Sequence, residues 1–209
     1  MKFALTYDGE LRANGNPKHK WEIRQQISPQ LVELWKVSPP LQWLRKNKLV
    51  PLREGFLIPF LHHTADRTDY SDLSPRDGWL DVCALIEVKG KHFLPLIRDS
   101  LLLHCGMKII FLRKEEPGRL IQQGGDLDNG LTTLFDALSM PNEDQVVDAG
   151  EDGPIYCLLE NDRLISGCSI ETQRLLSKPN ASANEVRLII EVDVRVSQAR
   201  VYNQPFLGD

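Results

Sequence analysis

From Glu185 to Tyr202 the chain reads EVRLIIEVDVRVSQARVY, with Val186, Leu188, Ile190, Val192 and Val194 at every second position. A period of two belongs to a β-strand with one buried face. So long an alternation commits the chain to a sheet and excludes a helical bundle. Partners for it are available. Lys2 to Tyr7 alternates, with Phe3, Leu5 and Tyr7 on one face. DVCALIEVKGKHFLPLI, from Asp81 to Ile97, reads as two β-rich runs joined at Lys89-Gly90, a hairpin with glycine in the turn. Met107 to Lys114 predicts a buried strand, Ile155 to Leu159 is an apolar run, and Leu164 to Leu176 looks extended.

Helices are fewer. Ser28-Pro29 offers a cap and a first-turn proline ahead of Leu31, Leu34 and Trp35, and Ser38-Pro39-Pro40 predicts the end of that helix. The polar stretch before it, Asp8 to Gln26, reads as loop. Short helices are expected around Trp43 and over Arg98 to Leu103. An apolar run from Phe56 to Leu61 leads into a polar loop, and 115–125 and 141–153 are further loops. Leu131, Leu134, Phe135 and Leu138 fall at helical spacing and mark one more helix with an apolar stripe. The expected fold class is α+β, a mixed β-sheet with helices packed on it, in one domain over residues 1–209.

The totals narrow the function classes. With 42% hydrophobic and 26% charged residues the composition is that of an ordinary globular protein. No apolar run approaches a membrane span, and Asp8 and Glu10 interrupt the N-terminus before any secretory core forms, so no membrane association and a cytoplasmic address are expected. The four cysteines, Cys83, Cys105, Cys157 and Cys168, form no CxxC pair and read as reduced thiols. The net charge of −4 hides a gradient. Residues 1–122 carry 19 Lys and Arg against 14 Asp and Glu, net +5; residues 123–209 carry 6 against 15, net −9. A basic face beside an acidic, cation-holding region can receive a polyanion, because binding follows local potential.

The stretch GGDLDNGLTTLFDALSMP, Gly124 to Pro141, sets Asp126 and Asp128 at the start of the predicted helix. There the exposed N–H groups and the dipole favour ionised carboxylates. A capping aspartate needs no function; two that can converge on a cation are harder to dismiss. An EF-hand is excluded by register, since Ala137 stands at the twelfth position where a bidentate Glu is required. Asn129, Thr132 and Asp136 share another face of the helix. In LLENDRLIS, Glu160 and Asp162 interrupt two β-rich runs and offer further acidic groups. Carboxylates from a helix start and a strand junction suit Mg²⁺, which takes hard oxygen ligands and keeps places for water and phosphate. Such an ion activates water for phosphodiester hydrolysis.

DLDN at Asp126 to Asn129, FDAL at Phe135 to Leu138 and NDRLI from Asn161 resemble the RusA class of Holliday-junction resolvases, over Gly125 to Leu176 in the main. The resemblance implies a dimeric, Mg²⁺-dependent endonuclease of mixed α/β fold that cuts four-way DNA junctions in recombination and repair, a kind often encoded by phages or prophages. It implies Asp126, Asp128 and Asp162 as catalytic, metal-binding residues, with Asn129 and Asp136 in supporting polar positions. Asn161 replaces the first acid of the family's later pair. Thr132 stands where the family usually has a lysine facing the scissile phosphate, which leaves slow cleavage, a cation supplied from elsewhere, or no cleavage as the expectations. Lys18, Lys20, Arg24, Lys89 and Lys91 are the DNA-binding candidates.

Other residues tempt less. His62-His63 cannot share one ion on a strand, and His104-Cys105 lacks a metal-ligand spacing. Trp21, Trp35, Trp43 and Trp79 are too scattered for a stacking platform. Two alternatives stand beside the nuclease: a junction-binding protein with weak or lost cleavage, and a protein without nucleic-acid function whose aspartates are caps and turn residues.

Overall fold

The structure, a computed structural model, describes residues 1–51, 79–114, 125–147, 153–176 and 185–208, with the side chains of 51, 79 and 125–127 excepted. The run Phe56–Leu61, the loop after it with His62-His63, the 115–124 loop and the Trp79 side chain therefore lie outside the described residues.

The long alternation forms β9 (Glu185–Val196), an inner strand of a four-stranded sheet. It runs antiparallel to β1 (Lys2–Glu10) on one side and β6 (Leu103–Arg113) on the other, and β8 (Ile165–Arg174) lies parallel to β6 at the edge. Register follows the hydrophobic pattern. Ile109 pairs with Ile190 and Phe111 with Leu188, so the buried rows of β6 and β9 lie side by side. Shifting either strand by one residue would turn its core face to solvent.

A second sheet holds β4 (Ile86–Val88), β5 (Lys91–Ile97) and β7 (Ile155–Leu159) in that order. The expected hairpin is present. Lys89 and Gly90 both take positive φ, 50° and 76°, the conformation that a two-residue turn between twisted strands needs. β5 and β7 are parallel and end level, Ile97 opposite Leu159. A two-stranded ladder, β2 (Leu49–Pro51) with β3 (Trp79–Asp81), completes the strands among the described residues.

Three α-helices are described: α1 (Pro17–Val37), α2 (Pro39–Lys46) and α3 (Gly125–Leu138). The helix expected from Ser28-Pro29 begins much earlier, which corrects the loop reading of Asp8 to Gln26. Asn16 is the cap, accepting from the His19 N–H at 2.9 Å, and Pro17 occupies the first turn. Trp21, Ile23, Ile27, Leu31 and Trp35 are buried, so the apolar stripe continues N-terminally through residues that charged neighbours disguised. Ser28 lies inside this helix, its hydroxyl accepting from the Tyr156 N–H of β7 at 3.0 Å, and Pro29 points outward. Ser38 then ends α1 and precedes α2, the short helix expected around Trp43. Leucines of α3, the stripe of α1 and the inner face of the four-stranded sheet form one core. Trp21, Phe93, Val146, Ile155 and Cys157 form a smaller one beneath the second sheet.

The expected short helix over Arg98 to Leu103 is a single 3-10 turn, Asp99–Leu101, and the last strand stops at Val196, giving way to a 3-10 segment, Val201–Phe206. The α+β class with mixed sheets holds.

Candidate metal centre and its basic flank

Burial of Leu131, Leu134 and Leu138, with Thr133 and Ala137 between them, fixes how α3 is rotated. The opposite side is left for Asp128 and Thr132, which are exposed, while Asn129 and Asp136 are half-buried. The backbone of Asp126 is helical in the first turn of α3; its side chain lies outside the described residues. Thr132 is engaged with its own helix, its hydroxyl donating to the Asp128 carbonyl at 3.0 Å.

The end of α3 is tied to the end of β7. Ser139 forms a bridge to Leu159, and the Met140 N–H donates to the Leu159 carbonyl at 2.9 Å. Beyond β7 come Glu160, Asn161 and the 3-10 turn Asp162–Leu164, which packs against α3 and sinks Leu164 into the core. Asp162, which opens this turn, is exposed. The helix carrying Asp126 and Asp128 and the turn carrying Asp162 are therefore neighbouring elements, although more than thirty positions separate them in the sequence.

Neighbours of Asp162 have distinct tasks. The Glu160 carboxylate accepts from the Asp99 N–H at 2.9 Å while its own N–H donates to the Ile97 carbonyl at 2.9 Å, so Glu160 splices the level ends of β5 and β7. Arg98 is buried behind it and donates to the Ala84 carbonyl at 3.3 Å. Burial pulls its guanidinium below the usual range, opposed by the charges of Glu160 and Asp81. Asn161 differs from both: its side-chain oxygen is buried and accepts no hydrogen bond.

That orphaned oxygen bears on whether a metal fits. A buried acceptor without a donor is costly, and a hard cation or its water shell satisfies it. Asn161 keeps the oxygen without adding a buried charge. Among the described side chains no three His, Cys, Asp or Glu converge as a ready ligand set. Of the expected three acids, the side chains of Asp128 and Asp162 are described, both solvent-accessible and on neighbouring elements; carboxylate and amide oxygens are the donor type that Mg²⁺ prefers.

Of the five expected DNA-binding cations, Lys18 and Lys20 lie on the first turn of α1, the helix packed against α3, and Lys89 and Lys91 lie on the hairpin that meets that turn. Lys18 is exposed in the first turn of α1. Lys20, in the same turn, places its ammonium 2.5 Å from the Asp136 carboxylate of α3. Lys91 lies over the Trp21 ring at 5.8 Å, which brings the β4–β5 hairpin, with exposed Lys89 at its tip, against that turn. Trp21 is in turn held edge-on by Phe93, ring centroids 6.4 Å apart.

Arg24 requires correction. It is buried, and its guanidinium donates to the carbonyls of Asp136 and Ser139, at 2.5 and 3.2 Å, and to the Gln145 side chain at 3.0 Å. The last turn of α3 leaves carbonyls without helical partners, and Arg24 satisfies two of these acceptors. It is a tie between helices, closed to phosphate. Its charge also opposes the burial that pushes the Cys157 thiol up to about 12. A helical period running back to Trp21 was the signal that Arg24 faces inward.

The loop between β1 and α1 contributes contacts that sequence reasoning missed. Gly15 donates its N–H to the Thr133 hydroxyl at 2.9 Å, and a Cβ there would sit 2.6 Å from the Thr133 methyl. Leu11 lies against Gly130. His19 is buried, its ring nitrogen accepting from the Arg12 N–H at 3.3 Å, and burial first, then the Arg12 charge, holds its pKa below the ordinary value. Gly15, between Asn14 and Asn16, is the sequence signal from which this close approach could have been read. His104-Cys105 belongs to β6, with the thiol buried. Trp35 is a core residue and Trp43 packs against the same core.

Comparison of the chain with protein-family models, with curated proteins and with solved structures finds no match.

Proposed function

We propose that this chain is a Mg²⁺-dependent, structure-selective endodeoxyribonuclease acting on four-way DNA junctions, as its resemblance to the RusA class of resolvases implies. The observation that carries the reading is the orphaned Asn161 oxygen beside Asp162, on a turn packed against the helix that begins with Asp126 and Asp128. Asp126, Asp128 and Asp162 hold the metal, with Asn161 completing the oxygen set. When bound, the ion lowers the pKa of a water and neutralises charge on the phosphate. The chain's own residues do the rest. Lys18, Lys20, Lys89 and Lys91 form a basic flank that positions a strand through its phosphates, without reading bases. Asn129 and Asp136 support the face of α3 that the strand meets. A homodimer would set two such sites against a pseudo-symmetric junction, in recombination or repair. No described helix is long and apolar enough to cross a membrane; the cytoplasmic place of action belongs to the proposal.

A second reading, junction binding with weak or lost cleavage, is favoured by Thr132. That side chain is neutral, and its hydroxyl donates back to the Asp128 carbonyl. One experiment separates the readings: a synthetic four-way junction incubated with wild type and Asp128→Asn, with and without Mg²⁺, binding followed in parallel. The nuclease reading expects Mg²⁺-dependent nicking by wild type and at least a hundredfold loss in Asp128→Asn, with binding retained. Binding without nicking establishes the second reading. Equal nicking by both proteins removes the catalytic assignment, and absence of binding at low salt removes DNA altogether.

A further inference from the structure

Lys20 and Asp136 form the ion pair that joins α1 to the polar face of α3. Their side chains are 16% and 31% exposed, so the pair is shielded from full screening yet open to solvent on one side. The two helices do not depend on it. Arg24, one turn further along α1, already holds the Asp136 and Ser139 carbonyls, and Gly15 is bonded to Thr133. Asp136 shares its face of α3 with Asn129 and Thr132, and lies two turns, about 12 Å of helix rise, beyond Asp128. A strand laid along α3 with one phosphate at Asp128 therefore brings a further phosphate of the same strand to Lys20.

We propose that the Lys20–Asp136 pair is a charge latch for the DNA backbone: Asp136 holds the ammonium in place in the free protein and yields it to a phosphate when a strand docks along α3. The inference rests on the nucleic-acid reading above and adds which cation meets the strand on the metal-bearing helix. Holding the lysine in advance reduces the side-chain entropy lost on docking. Asp136 at the same time repels phosphate until Lys20 has exchanged partners, so the latch resists loose, misaligned binding.

Because both residues belong to one pair, a purely structural bond predicts that removing either has the same effect, whereas a latch predicts opposite effects. The test is anisotropy of a labelled four-way junction in EDTA, which prevents cleavage, with salt varied from about 50 to about 200 mM. Lys20→Ala is expected to weaken binding and to make the slope of log K against log salt shallower by about 1, the loss of one phosphate contact. Asp136→Asn is expected to bind more tightly than wild type with the slope undiminished, and Lys20→Arg to keep the wild-type slope. Equal shifts in the same direction for Lys20→Ala and Asp136→Asn, or a Lys20→Ala slope equal to that of wild type, would overturn the latch while leaving junction binding intact. Wild type that binds no junction at any salt overturns the DNA reading itself. Thermal melts accompany each variant, and Lys20→Gln, which keeps the stem and removes the charge, replaces Lys20→Ala if the latter fails to fold.

Discussion

Lys20 and Arg24 stand one helical turn apart on α1 and reach the same end of α3, yet they bind different groups there. Lys20 takes the Asp136 carboxylate at the surface, whereas Arg24 takes backbone carbonyls in the interior. A cation that closes a helix terminus in a buried site stabilises through charge-assisted hydrogen bonds, each worth about 1.5–3 kcal/mol, less the cost of desolvating the guanidinium. Arg24→Met, which retains much of the side-chain volume, is expected to lower unfolding stability by about 2–3 kcal/mol, because the Asp136 and Ser139 carbonyls lose their donor. Urea denaturation checks the loss. Salt-dependent junction binding measured on the folded fraction should keep the wild-type slope, since Arg24 offers no phosphate contact. A shallower slope with unchanged stability would return Arg24 to the DNA-binding set. Side-chain direction on a helix depends on phase, and placing the helix start at Ser28 removed the phase that would have turned Arg24 inward.

Elements show a similar dependence on what borders them. β1 is an edge of the four-stranded sheet, and α1 covers it with glutamines. Gln30 accepts from the Thr6 N–H at 2.9 Å and donates to the Thr6 carbonyl at 2.7 Å, as a neighbouring strand would; Gln26 accepts from the Asp8 N–H at 3.4 Å. Gln25 and Gln26 are legible only as polarity, so the stretch up to Gln26 reads as loop; in the fold, Gln26 and Gln30 of one helix border a sheet edge. Gln30→Ala should cost about 1 kcal/mol and reopen the Thr6 position of the edge to another chain. The measurements are the urea midpoint and sedimentation velocity over a range of concentrations. An unchanged midpoint would mean that water replaces Gln30 without loss. The longer strands β1, β6 and β9 are legible because period two survives almost any tertiary context, and the Lys89-Gly90 turn because of its glycine; β2 and β3, three residues each, are too short to carry a period.

At the scale of the whole molecule, what the sequence made legible was the inventory of elements; what brings Asp162 to α3 was not legible from spacing. That approach is built from the Ser139–Leu159 bridge, the Glu160 splice between β5 and β7, and Leu164 buried in the core, three contacts between segments far apart in the chain. A metal shared by α3 and the Asp162–Leu164 turn would add a fourth link across the same junction, and it would exist only in the folded state. Binding of that kind raises stability by RT ln(1 + [Mg²⁺]/Kd), about 2.7 kcal/mol at a hundredfold excess over Kd. For a protein of this size the midpoint should rise by about 5–10 °C. Calorimetry or dye-monitored melting with Mg²⁺, then with excess EDTA, measures the shift without any need for DNA or turnover. Asp128→Asn and Asp162→Asn should each abolish most of the rise, because each removes one side of the link. Asn161→Ala should reduce it and should stabilise the metal-free protein slightly by deleting an unsatisfied buried oxygen. A Mg²⁺ shift that is absent from wild type, or undiminished in the Asp128 and Asp162 variants, would leave these acids as a helix-start residue and a turn residue with no ion between them.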